Sequence, residues 1–84
     1  MRLELSPHAQ RDLNKLKHNR KLAVRIAEAL DYIAGNPHCG KELEGQFVGV
    51  FTHRVGDWRI LYEVYKGQLR ILVIRIAHRR EVYR

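Results

Sequence analysis

Residues 47–65, FVGVFTHRVGDWRILYEVY, decide the fold class. Two runs rich in β-branched and aromatic residues flank Gly56-Asp57, a pair suited to a tight turn. The first run predicts a strand over Phe47–Val55 and the second a strand over Trp58–Tyr65. Within the second, Trp58, Ile60, Tyr62 and Val64 fall on one face, and Arg59, Leu61, Glu63 and Tyr65 on the other. Lys66-Gly67 predicts another turn. Gln68–Ala77 then predicts a third strand, carrying the unbroken apolar run Ile71-Leu72-Val73-Ile74. A strand apolar on both faces belongs in the centre of its sheet. Three strands joined by two short turns make an antiparallel meander.

The residues before the meander read as a strand and two helices. Arg2–Leu5 alternates like a short strand. Ser6 is a helix cap and Pro7 suits a first helical position. Ala9, Leu13 and Leu16 follow at helical spacing, predicting a helix from Pro7 to Lys17. Asn19 caps a second helix over Arg20–Ala34, marked by the stripe Leu22, Ile26, Ala29, Leu30 and Ile33. Gly35 and Pro37 end it. His38–Gln46 reads as a loop. The order is β-α-α-β-β-β, an α+β fold with a helical hairpin packed on one face of a small, mainly antiparallel sheet. The other face is left to meet a ligand. No repeat or linker divides the chain, so residues 1–84 form a single domain.

Composition narrows the partners. The formal charge is +7 and the sequence pI about 10.1, a balance that points to an anionic partner such as nucleic acid. After Leu43 every cation except Lys66 is arginine: Arg54, Arg59, Arg70, Arg75, Arg79, Arg80 and Arg84. Arginine grips phosphate with a planar, bidentate fork, whereas lysine offers a hydrated point charge. The single cysteine, Cys39, excludes an internal disulfide. The opening residues Met1-Arg2-Leu3-Glu4 lack an apolar leader, and no apolar run approaches a bilayer span. We therefore expect a cytoplasmic chain without a membrane partner. The carboxylates are scattered rather than spaced as metal ligands, so a metal-dependent nuclease is not expected.

Two segments carry chemistry: His53–Arg59, and the tail His78-Arg79-Arg80-Glu81-Val82-Tyr83-Arg84. Guanidinium groups meeting at one phosphate suit metal-free RNA cleavage. In that reaction the 2′-hydroxyl attacks phosphorus while a base and an acid move protons. Arg59 serves this role or else pairs with a carboxylate across the sheet. Trp58 reads as packing, and the cations Arg11, Lys15, Lys17, Arg20, Lys21 and Arg25 as helix faces open to solvent or to RNA phosphates.

The run Arg54-Val55-Gly56-Asp57-Trp58-Arg59-Ile60-Leu61-Tyr62-Glu63-Val64, followed by Ala77-His78-Arg79-Arg80-Glu81-Val82-Tyr83, resembles the RelE branch of the RelE/ParE toxin superfamily. Leu43-Glu44-Gly45 resembles that family's segment before the meander. The resemblance implies a toxin of a toxin–antitoxin pair. Such a toxin cuts mRNA in the ribosomal A site without a cofactor and is silenced by an acidic, partly disordered antitoxin in a hetero-oligomer. It implies catalytic roles for Arg59, Arg79, Tyr83 and His78, and RNA-binding roles for Arg54, Arg80, His53 and Arg84. Val50 and Thr52 stand where the best-known RelE carries lysines. The general base is thus open among His78, His53 and Tyr83, with His78 favoured. A gyrase poison of the ParE type and a non-catalytic RNA-binding relative are the alternatives.

Overall fold

A computed structural model describes residues Met1–Glu81. Strand β1 (Arg2–Leu5) leads into helices α1 (Pro7–Leu16) and α2 (Arg20–Gly35). Strands β2 (Lys41–Glu42), β3 (Val50–Val55), β4 (Trp58–Tyr65) and β5 (Arg70–His78) follow. The sheet order is β1-β5-β4-β3-β2, with β1 parallel to β5 and every other pairing antiparallel. Two helices on one face of a five-stranded mixed sheet form the expected α+β arrangement. No described helix is long and apolar enough to cross a membrane.

The helix starts follow the predicted caps. The Ser6 hydroxyl accepts the Ala9 N–H at 3.0 Å, and the Asn19 side-chain oxygen accepts the Leu22 N–H at 3.2 Å. Three predictions shift by more than one residue. The expected loop His38–Gln46 contains the two-residue edge strand β2, which Thr52 and Phe51 template by pairing with Lys41 and Glu42. The strand expected from Phe47 starts at Val50, because Gly45–Phe47 form one 3-10 turn and Gly49 sits at φ +93°. The last strand starts at Arg70 rather than Gln68. Lys66–Gln68 form a second such turn, and Leu69 adopts a left-handed φ of 51°. The central strand is β4, and β5 lies inside the sheet between β1 and β4.

The sheet has two unequal apolar faces. On one side Ala9, Leu16, Ile26, Ala29 and Ile33 of the helices pack on Val55, Ile60, Tyr62, Ile71, Val73 and Ile76. On the other, Leu61 and Ala77 form a smaller cluster with Leu43, Val50 and Ile74. Strand β5 serves both through a bulge. Tyr62 pairs with Val73 but Leu61 pairs with Arg75, which leaves Ile74 as an extra residue. Beyond it the alternation resets, so Ile76 rather than Arg75 enters the helix-side core. This accounts for an apolar run that no simple alternation explains.

The bulge lies where β1 has ended and can no longer pair with β5. Side chains take over the exposed backbone groups. The Ser6 hydroxyl donates to Ile74 O at 3.1 Å, and the Asp12 carboxylate accepts the Ile76 N–H at 2.9 Å. Arg75 Nε donates to the same Asp12 oxygen at 2.9 Å. Asp12 is 8 % exposed. A carboxylate this buried is tolerable only with such partners. On the far side of the sheet order, Tyr62 Oη accepts the Gly40 N–H at 2.9 Å and ties the segment after α2 to β4. Burial, reinforced by the Cys39 contact, pushes the Tyr62 phenol up to about 12. A Cβ on Gly40 would lie 2.6 Å from that hydroxyl and 2.8 Å from Thr52 O, so only glycine fits.

Replacing Asp12 by alanine strands the Ile76 N–H and the Arg75 guanidinium together. We expect Asp12→Ala to lower unfolding free energy by about 3 kcal/mol in urea titrations. Arg75→Ala should cost less, because the backbone bond survives. Equal losses in the two variants would show that the carboxylate acts only through Arg75.

Candidate functional site

The β3–β4 hairpin turns at Gly56-Asp57, where Gly56 takes φ +61°. Its register places Arg54 directly opposite Arg59, and Arg59 opposite Ala77 of β5. Cross-strand partners share a face. Arg54 and Arg59 therefore lie on the side away from the helices, with Thr52 and Leu61. The alternative of a carboxylate opposite Arg59 is not what the register supplies. Like charges directly opposite destabilise a sheet. Among the described residues neither side chain has a hydrogen bond or an ion pair. Arg59 Nε is sealed from solvent without an acceptor, and Thr52 Oγ1, on the same face, is too. Leaving a buried donor unsatisfied costs about 1–3 kcal/mol. An anion with several oxygens would satisfy Arg59 and relieve the repulsion in one step.

The chain after β5 returns to this end of the sheet. The Arg79 N–H donates to Asp57 O at 2.8 Å, continuing the ladder past the turn. The Arg79 side chain approaches Asp57 at 3.9 Å, but both groups are largely exposed, and such pairs bind weakly. Arg80 is exposed in the turn that follows. Arg54, Arg59, Arg79 and Arg80 thus gather around one hairpin end. Tyr83 and Arg84 lie outside the described residues.

Both histidines face the other way. His53 pairs with Ile60 on the helix side, its ring 6.0 Å from that of Tyr32 and its Nδ1 3.7 Å from Cys39 Sγ. Burial lowers its pKa from the ordinary 6.5. His78 pairs with Trp58, meets that ring edge-on at 5.7 Å, and lines a cleft with α2. Its Nδ1 accepts the Arg80 N–H at 3.3 Å, so a neutral ring carries its proton on Nε2. The Ile74 bulge sets this orientation: without the extra residue, His78 would share the face of Arg59. The expected grouping of His53 and His78 with the arginines is corrected accordingly, because the sheet stands between them. Thr52, with a hydroxyl unpartnered among the described residues, was not among the expected site residues, though its even spacing from Arg54 and its place where the best-known RelE carries a lysine both hint at it.

Residues 3–83 match the family model described as ParE toxin of type II toxin–antitoxin system, parDE. The chain is 34% identical over 77 residues to Toxin RelG of Mycobacterium tuberculosis, covering 90% of this chain and 87% of that one. It is 36% identical over 78 residues to Toxin RelE of the same organism, covering 90% and 78%. The toxin–antitoxin complex RelBE2 from M. tuberculosis contains a chain of similar structure, with TM-score 0.80 and 29% identity. That match spans 92% of this chain and 95% of that one.

Two outcomes follow from the geometry. Arg54→Thr removes the facing charge and should raise unfolding free energy by up to about 1 kcal/mol, read from thermal and urea midpoints. A destabilised variant would mean that the pair is not under repulsion. For His53, the folded chain binds fewer protons than the unfolded one just below pH 6.5. Its contribution to stability is full above that pH and is lost as pH falls through the lowered folded value. His53→Gln should flatten this part of the acid limb; an unaltered limb would remove His53 from it.

Proposed function

The chain belongs to the ParE toxin family of type II toxin–antitoxin systems, within the RelE/ParE superfamily, and from that membership we propose a metal-independent endoribonuclease that cuts mRNA in the ribosomal A site. The observation that carries the proposal is the facing pair Arg54 and Arg59, with Arg59 Nε buried and without an acceptor among the described residues. The non-bridging oxygens of a phosphate would satisfy both guanidinium groups together.

In the proposed reaction Arg59 and Arg79 bind the non-bridging oxygens of the scissile phosphate. Arg54, Arg80 and Arg84 bind its neighbours along the strand. The 2′-oxygen forms a bond to phosphorus as the bond from phosphorus to the 5′-oxygen breaks. The products are a 2′,3′-cyclic phosphate and a 5′-hydroxyl. One proton leaves the 2′-hydroxyl and one arrives at the 5′-oxygen, while the arginines hold the negative charge that develops on the non-bridging oxygens. His78 is poorly set as the base, because its Nδ1 is engaged and its ring is turned to the helix side. Tyr83, outside the described residues, then becomes the favoured acceptor among the three candidates. His53, across the sheet, takes no part.

The same arginines account for silencing. The M. tuberculosis relative was solved as a toxin–antitoxin complex. We propose that a cognate antitoxin lays carboxylates over Arg54, Arg59 and Arg79, competing with mRNA for the same donors. The ribosome, in this reading, supplies a positioned strand. The ParE description of the family model favours a second reading, inhibition of DNA gyrase through the same fold.

Primer extension on mRNA from cells producing the chain separates the two. Cuts within translated codons are expected, and Arg59→Ala and Arg79→Ala should each reduce cleavage by about 100- to 1,000-fold while circular dichroism stays unchanged. Intact message accompanied by double-strand DNA breaks would favour the gyrase reading. Undiminished cutting by both folded variants would refute the site.

A further inference from the structure

A second set of unpartnered cations lies directly behind the first. Lys21 and Arg25 sit one turn apart on α2 and project to the same side. They rim a cleft of about 490 Å³ between α2 and the Gly56-Asp57 turn. Leu22 and Val55 form part of its wall, and the rings of Trp58 and His78 stand in it at 88° to one another. The Arg25 guanidinium lies over the turn: a Cβ on Gly56 would be 3.5 Å from both of its Nη atoms. Neither Lys21 nor Arg25 has a hydrogen bond or ion pair from its side chain among the described residues, although Asp57 lines the same cleft. His78 directs only its Nδ1 to Arg80, leaving its Nε2–H as a donor. Two like charges one turn apart, beside an aromatic wall, suit a phosphate carried by a nucleoside. The volume falls in the range of small-ligand sites, about 300–1,000 Å³.

We infer that this cleft binds a phosphate of the RNA strand flanking the scissile one. The Val55–Trp58 pair and the Gly56-Asp57 turn, at the end of the sheet, separate it from Arg54 and Arg59. A single strand crossing the end of the sheet meets arginines on the front face, passes the turn, and meets Lys21, Arg25 and His78 on the back. The inference rests on the endoribonuclease reading for the identity of the strand. It assigns His78 to holding RNA rather than to abstracting a proton.

Trp58 is the single tryptophan of the chain and stands in the cleft, so its fluorescence reports occupancy. The probes are inorganic phosphate and a hexanucleotide lacking 2′-hydroxyls, which binds without being cut. Both should change Trp58 emission in the wild-type chain and in Arg59→Ala. In the Lys21→Ala/Arg25→Ala variant the response to phosphate should vanish. Hexanucleotide binding there should weaken about tenfold, and the slope of log affinity against log salt should shrink by about 0.7, the value for one lost phosphate. Unchanged affinity and slope in a folded double variant would overturn the inference and leave the Arg59 site standing. Silence of Trp58 toward phosphate in the wild type would overturn it as well. A response to an acidic octapeptide but not to either probe would assign the cleft to a protein partner instead. If Arg59→Ala still cuts mRNA while the phosphate response holds, the front-face reading fails and the cleft remains.

Discussion

The bond from the Ile76 N–H to the buried Asp12 carboxylate is the constraint on which the arrangement of this domain depends. Strand β1 covers only residues 70–73 of β5, so the rest of that edge needs other partners. Asp12 and Ser6 supply them from the start of the helical layer. In doing so they hold β5 in a shape with one residue too many for its neighbour. That single extra residue, Ile74, rotates everything after it by half a turn. Ile76 enters the core, Ala77 comes beneath Arg59, and His78 swings behind the sheet. A polar contact from a helix distant in sequence thus decides which side chains share the front of the hairpin end.

The hairpin end trades stability for charge placement. A pair of arginines in direct register, one with a buried nitrogen lacking an acceptor among the described residues, is a local conflict. Such conflicts persist where binding relieves them. Occupancy by phosphate or by carboxylate removes the same penalty, which is why substrate and inhibitor can compete without sharing a shape. Asp57, at the hairpin turn, is too exposed and too distant from Arg79 to do so on its own.

How much of this was legible in the sequence varied with the range of the interaction. The caps at Ser6 and Asn19 and the turn at Gly56-Asp57 are local, and each appears where its residue type predicts. The facing of Arg54 and Arg59 follows from their equal distance to that turn. The strand Lys41–Glu42 was invisible, because two residues carry no period and their partner strand alone defines them. The position of His78 was hidden for a deeper reason. Alternation from Ile71 and Val73 puts it on the front, and only the bulge held by Asp12, distant in sequence, puts it on the back. Asp12 itself reads as one more charge on a helix surface, since nothing nearby announces Arg75 as its partner.

The pairing of β1 with β5 bears on how the domain is made. The first strand cannot be placed until residue 73 is available, and Asp12 cannot be satisfied before residue 76. Contacts so distant in sequence close slowly and late. During synthesis the helical hairpin therefore emerges with Ile26 and Ile33 uncovered, waiting for the meander. A chain of this design has no folded form shorter than nearly its whole described length. It presents its arginines on a finished sheet only once β5 has paired with both β1 and β4.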